Sequence, residues 1–187
     1  MWWKKICNDV RSGNIAYNMN KPYSYVGYVI SSHLGEAVIK MLIYTSIGMI
    51  LGFAFLKSFP LHSFIGIIMV LLSMALSVCI GSLILTFLGL FSFYIEDANP
   101  LYWVYSKFLL VLGTTFPIEF FPEIIQRIVA LSPIYVTAYA PAKMFVDYNF
   151  ESAVYVILYQ IVYLFLIYGL CELLYMKGVK KINVNGG

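Results

Sequence analysis

Polar and apolar positions are laid out along this chain in long blocks rather than in short alternations. Residues 1–30 form a polar head, with Lys4, Lys5, Asp9, Arg11 and Lys21 set among asparagines and turn formers at Gly13 and Pro22. Within it Ile6, Val10, Ile15 and Met19 allow one short amphipathic helix, weakened at Gly13 and Asn14. Lys21-Pro22 should end it, because a residue before proline avoids the helical region. An apolar block over about 33–56 predicts a first membrane span, with Glu36 and Lys40 in its first two turns, placed to pair at i,i+4. Residues 63–95 then run for 33 positions without a charged side chain. The preferred reading is one span over 63–84 with an extension to 95, bending at Gly81-Ser82 or Gly89; a helical hairpin is the alternative. Glu96-Asp97-Ala98-Asn99-Pro100 is a break. A third, weaker span is expected over 101–118, ending at Pro117, and a last one over 152–176. Between them, residues 119–131 repeat Phe121, Ile124, Ile125, Ile128 and Leu131 at three- and four-residue steps, which predicts an outer interfacial helix. Ser132-Pro133 and Ala140-Pro141 bracket a tyrosine-rich link. The expected fold is all-α: a polytopic transmembrane bundle of about four spans over 31–181, with a flexible tail at 182–187.

Composition supports the membrane assignment. The chain is 61% hydrophobic and 11% charged, where a soluble domain is roughly a quarter charged. The net charge of +3 is not gathered into one stripe, so no nucleic-acid partner is expected. Its distribution is more informative. Four Lys or Arg lie in the head (Lys4, Lys5, Arg11, Lys21) and three in the tail (Lys177, Lys180, Lys181), against Lys57 in the first outer loop and Arg127 and Lys143 in the second. By the positive-inside bias both ends are cytoplasmic, which requires an even number of crossings. The hairpin alternative makes five crossings and puts the tail lysines outside.

No catalytic constellation emerges. His33 and His62 belong to no metal-binding pair, and Cys7, Cys79 and Cys171 show neither disulfide framework nor metal spacing. The chain has no phosphate-binding loop of the G-x-x-x-x-G-K-[ST] type and no G-x-S-x-G. Ser73, Ser77 and Gly81, and likewise Gly48 and Gly52, are small residues at four-residue steps, suited to close helix contact. Lys107 and Glu172 are charges inside predicted spans; they either snorkel to the interface or line a polar path.

Three ordered stretches carry a resemblance. Ile6 to Tyr25 resembles the I-x-S-G-x-I-x-x-x-L-x-x-P segment of bacterial type-2 ABC exporter permeases. Phe116-Pro117 with Phe120-Phe121-Pro122 resembles their outer re-entrant region, in which Glu119 and Pro122 would also stand. Leu131-Ser132-Pro133 followed by Tyr139-Ala140-Pro141-Ala142 is similar to the link before their last helix. The resemblance implies a permease subunit of an ABC exporter in the bacterial cell membrane. Its partners would be a separate ABC ATPase subunit, which binds ATP and Mg, and a second permease chain, identical or different; this chain would bind no cofactor. It also implies that Asp9, Arg11, Ser12, Gly13, Asn14 and Pro22 contact the ATPase. On that comparison the chain corresponds to spans three to six, with the first two helices lacking. The alternatives are a non-transporting scaffold or accessory subunit and, for the head, a segment binding anionic lipid through Lys4, Lys5 and Arg11.

Overall fold

The three longest helices each begin on a short polar side chain that caps exposed backbone N–H groups. Ser24 Oγ accepts from the Gly27 amide at 3.2 Å, Ser63 Oγ from Gly66 at 3.2 Å, and Asn149 Oδ1 from Ser152 at 3.1 Å. A computed structural model describes residues 2–19, 21–56, 63–95 and 97–185, and every element among them is helical. The elements are α1 (Trp2–Arg11), α2 (Asn14–Met19), α3 (Tyr25–Leu56), α4 (Phe64–Leu90), α5 (Asn99–Phe108), α6 (Glu123–Ala130), α7 (Ala140–Val146) and α8 (Phe150–Asn185). Short 3-10 turns occupy Phe91–Phe93 and Ile118–Phe120, and π-helical turns occupy Leu109–Thr115 and Tyr135–Tyr139. The turn read at 57–62, with His62, and Asn20 and Glu96 lie outside the described residues.

Three helices are long and apolar enough to cross a membrane, over Tyr25–Phe55, Phe64–Phe93 and Phe150–Lys181. A fourth crossing is counted if α6 and the run Tyr135–Val146, bent by 76° from it, act as one broken span. Residues 64–90 form one helix without a break at Gly81-Ser82. The run from Asn99 has ten α-helical residues followed by seven π-helical ones. That is fewer than the ~20 residues an upright α-helical crossing takes. At the other end, α8 stays helical to Asn185, since neither glycine nor proline interrupts it after Gly178. The expected head helix is divided in two at Gly13, whose φ is +75°.

The core lies at the head end. Ile6 and Ile15 of the head, Tyr25, Val26 and Val29 at the foot of α3, Ile80, Leu83 and Leu90 of α4 and Ile167 and Cys171 of α8 form one buried cluster. Helices α4 and α8 pack along each other and make the spine of the fold. α3 is anchored at its foot, and beyond it Ile39, Leu42, Ile43, Tyr44, Ile50 and Phe53 are exposed. Such a surface is costly in water and ordinary in lipid. A smaller cluster of Val70, Met144 and Ala153 joins α4, α7 and α8 towards the far end.

Candidate functional site

Most of the polar head is fastened to the bundle, and its tip is not. Ile6 is fully buried against α4, where a Cβ added to Gly89 would come within 2.8 Å of the Ile6 Cδ1 atom. Cys7 packs on Ala98, and burial pushes its thiol pKa up. Asp9 accepts a hydrogen bond of 2.9 Å from the Tyr25 hydroxyl. Arg11 lies 3.8 Å from Asp97, whose carboxyl is held below the usual range chiefly by the Asn99 amide donating to it. Lys5 stands over the Tyr28 ring, and Lys21 over those of Tyr17 and Tyr23. Ser12, Gly13 and Asn14 remain exposed at the turn between α1 and α2, and Pro22 is exposed in the link to α3. Of the residues expected to meet a partner, Asp9 and Arg11 are thus engaged within the chain, while Ser12, Gly13 and Asn14 form the tip.

Lys107 and Glu172 are not bonded to each other among the described residues. Glu172 of α8 accepts from the Ser24 hydroxyl at 3.1 Å and the Tyr168 hydroxyl at 3.0 Å, tying α8 to the foot of α3. Lys107 sits on α5 with its ammonium 5.6 Å from the Trp103 ring. His33 shares a 2.7 Å hydrogen bond with Ser82 of α4. Glu36 and Lys40 pair at i,i+4, as their spacing predicts.

At the far end, residues 116–122 close onto α7. Phe116 meets Phe121 edge to face, and Pro117 and Pro122 stand immediately before the 3-10 turn and α6. Glu119 takes the Lys143 ammonium at 2.5 Å on one oxygen and the Tyr139 hydroxyl at 2.6 Å on the other. These two donors, Lys143 foremost, hold its pKa down at about 2. Gln126 donates to the Phe121 carbonyl at 2.7 Å and completes the knot. A cleft of about 500 Å3 opens between α3, α4 and α7, lined by Met41, Gly48, Gly52, Met74, Pro141 and Phe145. Its walls are apolar, and Gly48 and Gly52 have open space where a Cβ would stand. Among the described residues no group of three or more His, Cys, Asp or Glu is placed to hold a metal ion.

Sequence reasoning passed over Gln160. This amide is fully buried in α8 and bonds α4 and the π-helical turn before α7 at once. The available signal was a lone amide in an otherwise apolar span, since a buried polar group must find a partner. Tyr139 and Lys143 were visible only as loop residues, because nothing local links them to Glu119.

Comparison with known proteins adds one finding. The family model described as "ABC-2 family transporter protein" matches residues 1–186. Comparisons with curated proteins and with solved structures return no match.

Proposed function

Because the chain belongs to the ABC-2 transporter family, we propose that it is the membrane permease subunit of an ABC exporter, driven by ATP hydrolysis in a separate ATPase subunit. The observation that carries the reading beyond the family is the docked head. Its tip at Ser12, Gly13 and Asn14 is exposed, while Ile6 and Ile15 bury its base in the same cluster as α4 and α8. A soluble partner gripping that tip would move the head and the spine together, because a packed core transmits displacement rather than absorbing it. ATP and Mg2+ belong to the partner; this chain contributes the lever. Lysine distribution supports placing the head and the C-terminal end of α8 on the cytoplasmic side of a bacterial cell membrane. Two such chains would enclose the path, with Lys107 and Glu172 as candidate lining residues.

The test is recovery of the partner. A tagged chain isolated from native membranes in mild detergent should bring down an ATPase whose hydrolysis rate changes when the chain is added back. Recovery of the intact chain without any ATPase would overturn the proposal.

A further inference from the structure

The π-helical turn at Tyr135–Tyr139 leaves one backbone carbonyl without its helical partner. In this turn the Ala140 amide bonds the Tyr135 carbonyl, five residues back. The Val136 carbonyl should then be met by residue 141, which is proline and has no N–H. Val136 is 1% exposed, so water does not reach it readily, and an unpaired carbonyl there is strongly unfavourable. Gln160 supplies the missing donor from another helix. Its Nε2 lies 2.9 Å from the Val136 carbonyl, 3.1 Å from the Ser73 carbonyl and 3.0 Å from the Ser77 hydroxyl. The Ser77 hydroxyl also lies 3.3 Å from the Val136 carbonyl, but its nearer acceptor is the Ser73 carbonyl at 2.8 Å, which leaves the Gln160 amide as the closer donor to Val136. Two carbonyl acceptors dictate which way the amide faces, since the flipped amide would set oxygen against oxygen. Gln160 sits ten residues into α8, about 15 Å along its axis, at the depth of the bilayer interior if α8 spans it.

We propose that Gln160 is a positioning residue: its amide replaces the backbone donor that Pro141 lacks and thereby holds the bent α6–α7 limb against the α4–α8 spine. The proline and the glutamine are a matched pair. Pro141 opens the turn and frees a carbonyl; Gln160 takes that carbonyl and fixes the limb at one place on the spine. This role does not depend on the transport reading, and its test does not use transport.

The experiment measures hydrogen exchange in residues 135–146 of the full-length chain in lipid nanodiscs. Gln160→Leu, similar in size and without the donor, should speed exchange there about tenfold or more. Pro141→Ala gives Val136 a donor of its own. In the Gln160→Leu, Pro141→Ala double variant the acceleration should largely disappear, whereas a purely packing role for Gln160 predicts no rescue. Unchanged exchange in folded Gln160→Leu, or acceleration that Pro141→Ala does not reduce, overturns the proposal. If Gln160→Leu alone cannot be recovered folded, the double variant should be; failure of both also overturns it.

Discussion

Gly13 and Gly178 show how one residue type serves two unrelated constraints. Gly13 has a φ of +75° and open space around it, so its constraint is the backbone alone. A side chain in the left-handed region costs roughly 1–2 kcal/mol. Gly13→Val should therefore loosen the turn between α1 and α2, seen as faster hydrogen exchange over residues 12–17 with the spans unchanged. At Gly178 the constraint is a neighbour: an added Cβ would lie 2.5 Å from the Phe93 Cγ atom and 2.9 Å from its Cβ. Gly178→Ala should force α8 away from Phe93 and cost about 1–3 kcal/mol. Gly169→Ala, in the same helix with nothing within 4 Å, is the control and should not lower the melting temperature in detergent. Gly13 could be marked as a turn former from its polar surroundings. Gly178 could not be distinguished from any tail glycine, because the ring that demands it belongs to another element.

Among the elements, α1 depends on one buried side chain more than on its charges. Ile6 is fully buried, whereas Arg11 and Asp97 are about half exposed and 3.8 Å apart. Ile6→Ala should cost about 2–5 kcal/mol and release the head to proteolysis, while Arg11→Ala should leave it protected, because exposed ion pairs contribute little. The far-end knot gives a pH signature. The Glu119 pKa falls from an ordinary 4.5 to about 2 on folding, so its contribution is complete above the ordinary value and is lost as pH drops towards 2. The melting temperature of the native chain should exceed that of Glu119→Gln at pH 6, and the gap should narrow steadily below pH 4.5. A gap independent of pH would mean the Lys143 and Tyr139 contacts do not stabilise the carboxylate. The amphipathic spacing of the head was readable in sequence, and so was the weakness at Gly13; that the weakness separates two helices appears only in the structure. The link over 132–141 read as irregular because Pro133 and Pro141 punctuate it, yet it is largely helical, with its lost backbone bond made good from α8.

At the scale of the molecule, one long crossing links Asn149 to the head end, where α8 meets Phe93 and Lys181 lies over Tyr94. The cytoplasmic-head arrangement predicts opposite sidedness for the two ends of α8. With Cys7, Cys79 and Cys171 replaced by alanine, Asn149→Cys should react with an impermeant thiol reagent on intact cells. Asn14→Cys should react only in inverted vesicles. Labelling of both from the same side would refute the arrangement. Residue order by itself determined the membrane class and the helical architecture. Apolar blocks long enough for a bilayer crossing leave the backbone only itself to bond with, and a helix is the local solution. The residues of the exposed tip were readable for the same reason, being polar ones between short apolar repeats. Tertiary structure alone decided which distant groups meet: Gln160 with Val136, Glu119 with Tyr139 and Lys143, Gly178 with Phe93. Hydrophobic periodicity says which face of a helix is buried, but carries no record of what it is buried against; that is settled only when the helices pack.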